Sequence, residues 1–190
     1  MSRVHGLRTS DRVFFVTVNL RRSLAPLAHS EYGLVVGAFA GSRRKLGFLL
    51  YGYVLTPDHW HALIWTTSPL TIPRVVRDVK WIAARALNGA RGTSGTVWQH
   101  QFWDRFVRHG KEFGDRLAYM HLNPVRKGLV ARPTTDTFCT FCCLRNGFMR
   151  GADADLFGKP CEKLECDQPF GNFQIRNALP PRISLRSSGV

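Results

Sequence analysis

The sequence predicts an α+β domain, one antiparallel sheet with helices interleaved in the order β-α-β-β-α-β, followed by one further helix. Three observations carry this. Val13 to Asn19 is a run of β-branched and aromatic residues; Tyr51 to Trp65 is a pair of apolar runs around a Thr56-Pro57-Asp58 turn; Thr71 to Gly89 keeps a helical rhythm of apolar positions. That order of elements is the ferredoxin-like arrangement.

Taken along the chain, Met1 to Arg12 is a basic arm without periodicity, and it reads as a frayed terminus although Arg3, Arg8 and Arg12 could meet phosphate. The strand from Val13 follows. Ser30 to Lys45 reads as a helix, because Leu34, Val35, Ala38 and Phe39 follow helical spacing and Arg43-Arg44-Lys45 suit the negative end of the helix dipole before Gly47. Phe48 to Trp65 is the hairpin. In the next helix Ile72, Val75, Val76, Val79, Ile82, Ala83, Ala86 and Leu87 form the apolar stripe, Thr71 can cap it, Pro73 suits its first turn, and Asn88-Gly89 is its expected end. A Gly/Ser/Thr loop leads to Val97–Val107, whose second half alternates as a strand does. The final helix is expected from about Lys111 to Leu122, stopped by Asn123-Pro124 because the residue before proline is pushed out of the α region.

A chain of 190 residues with 44% hydrophobic and 12% aromatic content can bury one sizeable core. All five tryptophans precede residue 131 and all five cysteines follow it, so residues 1–130 are expected to be the folded domain and 131–190 an irregular or partly disordered extension. Cys139, Cys142, Cys161 and Cys166 have roughly a zinc-ribbon spacing, with reduced, unpaired thiols as the other reading. The run Val13 to Val18 is too short for a signal-peptide core, and nothing is long enough to span a membrane, so a cytoplasmic protein is expected.

Charge points to the partner. The chain carries 27 Lys plus Arg against 13 Asp plus Glu, a net +14, and 19 of the basic but only 7 of the acidic residues lie in 1–130. Such a surplus attracts a polyanion by releasing its counterions, which favours nucleic acid over acidic lipid or mere solubility. Arg74, Arg77, Lys80 and Arg85 fall largely on the polar side of their helix and could track a phosphate backbone, or form an ordinary solvated face.

The second strand of the hairpin opens His59-Trp60-His61. Side chains alternate along a strand, so the two histidines share one face and Trp60 takes the other. Positions two apart are separated by about 7 Å of backbone, a span that two imidazoles can close around one metal ion. Two ordinary histidines at a sheet end are the plainer reading of the motif alone. On the last helix Tyr119 and Asn123 are four apart and therefore one turn apart on one face, beside an apolar face of Phe113, Leu117 and Met120. Taken alone, Tyr119 would be a half-buried helix tyrosine.

Three blocks, YVLTPDHWHALI, VWQHQFWDR and YMHLNPVRKGLV, stand in this order between residues 53 and 130. In them the chain resembles the HUH single-tyrosine transposases, and within these the REP-associated tyrosine transposases. The resemblance implies the ferredoxin-like fold with the histidines on a central strand and a catalytic last helix. It also implies that Tyr119 is the nucleophile, that His59, His61 and Asn123 hold a metal ion, and that the substrate is single-stranded or hairpin DNA. Arg105, Arg126 and Lys127 lie in the matching blocks and join Arg74, Arg77 and Lys80 as candidate DNA contacts. Mg²⁺ or Mn²⁺ is the expected ion, with Mn²⁺ suiting imidazole better. The enzyme is expected to act as a monomer or homodimer through a 5′-phosphotyrosine intermediate.

This chemistry needs these residue types. The scissile phosphodiester is anionic and repels nucleophiles, so a cation must offset its charge; a phenol is a weak nucleophile unaided, but its phenolate leaves readily enough for the covalent step to reverse. The competing class is a non-catalytic nucleic-acid-binding module on the same sheet, with Phe14, Trp60 or Trp65 as stacking platforms, although the RNP1 pattern is missing. After Arg132-Pro133 the stretch ARPTTDTFCTFCCLRNGF departs from the family, and a substituted or frame-shifted end is one explanation.

Overall fold

The computed structural model describes residues 12–131. The elements are β1 (Arg12–Asn19), a 3-10 turn (His29–Glu31) leading into α1 (Tyr32–Leu46), β2 (Leu49–Leu55), β3 (His59–Thr66), α2 (Ile72–Arg91), β4 (Trp103–Phe106) and α3 (Gly110–Arg126). The sheet order is β2-β3-β1-β4 with every neighbour antiparallel, which is the ferredoxin-like topology expected. The expectations for residues 1–11 and for the cysteine-bearing extension concern residues outside those described.

Strands β1 and β3 are central and buried on both faces, and their alternation sorts two cores. Phe14, Val16, Val18, Trp60, Ala62 and Ile64 pack with α1 and α2 on one side. Val13, Phe15, Val54 and Leu63 pack with Phe113 and Met120 of α3 on the other. Trp60 is wholly buried, its ring 4.9 Å from Phe39 in an edge contact. Burial of such a side chain is worth roughly 3 kcal/mol, so slippage of β3 by one residue is strongly opposed. The hairpin turn is tied back to the chain after β1 by backbone bonds from Leu20 N–H to Asp58 O (2.8 Å) and from Leu27 N–H to Pro57 O (2.8 Å). A bulge between Leu50 and Gly52 interrupts the β2–β3 register.

Three helix ends differ from expectation. Thr71 stands at the start of α2, but its side chain makes no capping hydrogen bond. The helix then runs past Asn88-Gly89 to Arg91 and ends on Gly92, whose φ of 63° is the left-handed conformation that suits glycine. Arg91 supplies the reason. Its guanidinium makes a two-pronged pair with Glu31 (2.6 and 2.7 Å) and reaches the carbonyls of Ala25 and Pro26, which anchors a turn that Gly89 alone would weaken.

Likewise α3 is not stopped by Asn123-Pro124. Pro124 lies inside the helix, buried with Met120 and Asn123, and the next turn closes through Lys127 N–H to Asn123 O (3.0 Å) and Leu129 N–H to Pro124 O (2.9 Å). Packing against the sheet outweighs the bond that proline cannot donate. At the other end His109 caps the helix, its Nδ1 accepting from Glu112 N–H.

Among the described residues no helix is long and apolar enough to cross a membrane. The half-buried Arg91–Glu31 pair gives the fold a pH-dependent element. Hydrogen bonds from Arg91 hold the Glu31 carboxyl below its usual 4.5 despite the opposing effect of burial. A lowered carboxyl pKa contributes stability that is complete above that usual value and is lost as pH falls through the lowered one. Arg91→Lys, which cannot reproduce the fork, should cost about 1–2 kcal/mol at neutral pH. Urea unfolding should show that cost shrinking in acid; a cost independent of pH would mean the pair is not its source.

Candidate active site

On the α3 side of the sheet, β3 presents His59 and His61 with their Nε2 atoms 3.1 Å apart. The outer nitrogens are held separately. His61 Nδ1 meets the Thr17 hydroxyl at 2.8 Å, Thr17 being its direct partner across β1. His59 Nδ1 lies 2.7 Å from Asp58 Oδ1 and 2.7 Å from Thr56 Oγ1. Thr56, fully buried at the turn, also accepts from His59 N–H and lies 2.9 Å from both the His59 carbonyl and Asp58 Oδ1; its one hydroxyl proton can serve only one of these acceptors. Lys127 Nζ donates to both Asp58 oxygens at 3.0 Å, joining the end of α3 to the turn.

Protonation follows from this setting. Burial, with the nearby His59 and Lys127 charges, lowers His61 to about 3, and burial lowers His59 although Asp58 pulls the other way. Both imidazoles are therefore neutral at neutral pH, the form that binds metal. Burial would raise Asp58, but hydrogen bonds from Lys127 and His59 outweigh it and keep the carboxylate ionised.

Asn123 is buried on the facing helix with Nδ2 3.3 Å from His61 Nε2, while its Oδ1 has no hydrogen-bond partner. One turn earlier Tyr119 is exposed, its ring 5.5 Å from that of His61 and 6.0 Å from Phe15. The arrangement fits a metal ion. Two nitrogens bound side by side to one ion at about 2.1 Å lie about 3.0 Å apart, close to the spacing here. Turning the Asn123 amide over about its terminal bond would bring the orphaned oxygen to the same point. Among the described residues no third His, Cys, Asp or Glu joins the pair.

The other candidate residues divide by face. Arg105 and Arg126 line a groove beside Tyr119 of about 570 Å³, together with Arg108, Arg116, Glu112 and Asp115. The Arg126 guanidinium lies 5.8 Å from the Tyr119 ring, and Arg105 pairs with Glu112 at 3.1 Å. Arg74, Arg77 and Lys80 belong to α2 on the opposite face. Lys80 is engaged there, donating to the carbonyls of Gln99 and His100. The stacking platforms of the competing module are corrected by the fold: Phe14 and Trp60 are fully buried in the α1/α2 core, and of the three only Trp65 is partly exposed. Thr17, Thr56, Asp58 and Arg116 were not singled out as site residues from the sequence. For Thr56 and Asp58 a signal existed, since the residues of a turn just before a ligand strand are placed to orient it.

Fold and site together have the arrangement of the HUH-type enzymes, with two histidines flanking one hydrophobic residue on a central strand. Residues 20–108 match the family described as "Transposase IS200 like". A REP-associated tyrosine transposase of Escherichia coli (strain K12) is 28% identical over 130 residues, 67% of this chain and 75% of that protein. A solved structure of a REP-associated tyrosine transposase bound to a REP hairpin shares the fold, with a TM-score of 0.66, 24% identity, and coverage of 80% of this chain and 90% of that one. The chain is thus similar to the IS200-like transposases over residues 20–108 and to a REP-associated tyrosine transposase over 130 residues. Enzymes of this kind are in general metal-dependent.

The turn that orients His59 can be tested apart from any chemistry. Thr56→Val keeps the shape and removes every hydroxyl contact at a fully buried position, so it should cost about 1–3 kcal/mol in urea unfolding. An unchanged midpoint would show that the turn holds its form without that hydroxyl.

Proposed function

We propose that this protein is a single-strand-specific DNA endonuclease and strand transferase acting on hairpin-forming repetitive palindromes, with residues 1–130 as the catalytic unit. The observation that carries the reading is the juxtaposition of exposed Tyr119 with His61, one helical turn from the Asn123 amide. The other described tyrosines fit the role poorly. Tyr32 and Tyr53 are buried in the α1/α2 core, and burial pushes the Tyr51 phenol up to about 12.

In this reading the Tyr119 oxygen attacks the scissile phosphorus. The new oxygen–phosphorus bond leaves the downstream fragment on the tyrosine through its 5′-phosphate, the bond to the 3′ oxygen of the upstream fragment breaks, and the proton lost by the phenol is balanced by the one gained by the freed 3′-hydroxyl. A 3′-hydroxyl attacking the phosphotyrosine reverses these changes and joins strands without an external energy source. His59, His61 and Asn123 would hold Mn²⁺ or Mg²⁺, which when bound offsets the phosphate charge and polarises its oxygens. Asp58, Thr17 and Thr56 orient the histidines. Arg105 and Arg126 face the strand beside Tyr119, while Lys127 acts chiefly on Asp58. The relative bound to a REP hairpin supports the substrate class.

Tyr119→Phe removes the attacking oxygen and keeps the ring. Cleavage of a hairpin with single-stranded flanks should fall to background while its binding stays within about twofold. His59→Ala or His61→Ala should instead lose Mn²⁺ binding by calorimetry together with cleavage. Only the unsubstituted protein should yield a detergent-stable DNA adduct, mapping by mass to the Tyr119 peptide. Cleavage by Tyr119→Phe would make water the nucleophile and end the assignment of Tyr119.

A further inference from the structure

The face that carries the histidines also carries an aromatic group that this mechanism does not use. Val54, His61, Thr17 and Trp103 are successive partners across the four strands, and direct antiparallel partners point to one side of a sheet. Trp103 thus stands one place beyond the threonine that holds His61. It is 43% exposed, whereas Trp60 and Trp98 are almost wholly buried. Its inner edge meets Phe15 at 5.9 Å between ring centres, and Phe15 in turn stacks on His61 at 5.1 Å and meets Tyr119 edge-on at 6.0 Å. One aromatic floor therefore links Trp103 to both parts of the candidate active site.

The ground around it is cationic. The Arg116 guanidinium lies 5.3 Å from the Phe15 ring, and Arg105 follows Trp103 on β4 with its side chain on the same face. Glu112 offsets Arg105 and Arg116 in part, and Asp115 pairs with Lys111, but the groove also holds Arg108 and Arg126. An exposed indole beside surplus guanidinium groups suits a ligand that combines a flat π face with phosphate. A paired duplex offers no open base face; an unpaired nucleotide does.

From this we infer that Trp103 is a nucleobase subsite, on which an unpaired base of the strand engaged at Tyr119 stacks. The inference rests on the proposed DNA substrate but not on which group is the nucleophile. It makes Trp103 a positioning residue that favours single-stranded flanks, because only a strand with a free base can use it. Stacking of this kind tolerates any base, so it adds affinity for unpaired DNA without a sequence preference.

The probe is a stem-loop DNA with oligothymidylate flanks, compared with the same stem-loop bearing abasic flanks, using Tyr119→Phe protein so that nothing is cut. Thymidine flanks should bind about tenfold more tightly than abasic ones. Adding Trp103→Ala should abolish that difference by weakening only the thymidine-flanked probe, and Trp103→Phe should restore most of it. In a Trp81→Phe background, thymidine flanks should quench the remaining exposed tryptophan and abasic flanks should not. Equal binding of the two probes by protein with Trp103 intact would overturn the proposal whatever the variants do. So would a tenfold difference that persists in Trp103→Ala. Cleavage by Tyr119→Phe would undo the nucleophile assignment alone and leave these binding ratios readable.

Discussion

The burial of Trp60 is the constraint on which the site depends. A strand has only two faces, and an indole fully enclosed between α1 and α2 leaves the residues on either side of it no choice of direction. His59 and His61 are therefore presented together toward α3. The energy that fixes the pair comes from apolar packing on the far side of the sheet. Polar contacts then only turn the rings, through Thr17 for one and Thr56 with Asp58 for the other.

The facing half of the site depends on α3 remaining helical through a proline. Had the chain turned out at Asn123, Tyr119 would have kept its place while the amide four residues later would have left the His61 nitrogen. Burial of Met120 and Pro124 keeps the last turn in place, and the Lys127–Asp58 pair adds a link at its exposed end. An ion pair so open to solvent is worth less than about 1 kcal/mol, so it serves orientation of the turn more than stability.

Much of this was legible in residue order because the informative signals were periodic. The alternation around Trp60 placed both histidines, the apolar stripe of Ile72 to Leu87 gave α2, and spacing of four put Tyr119 and Asn123 on one face. What escaped was information of longer range. That Thr17 would lie beside His61 depends on a register between strands 44 residues apart, which no local pattern encodes. The ends of α2 and α3 were misplaced because Gly89 and Pro124 are weak stops once Arg91 finds Glu31 and α3 finds the sheet. Periodicity likewise showed that α2 has a basic side, but not which face of the sheet the helix would cover.

Under the proposed function, that placement would give the protein's charge two distinct kinetic roles. Arg74, Arg77 and Arg85 project from the layer opposite the histidines, so a strand lying at Tyr119 does not touch them unless it wraps around a sheet edge. Charge held away from the contact surface changes how often a polyanion arrives far more than how long it stays. The arginines lining the groove beside α3 would govern departure, since they would have to be stripped from phosphate before the strand could leave. On that reading the same surplus of cations would act as a collector on one side of the sheet and as a brake on the other.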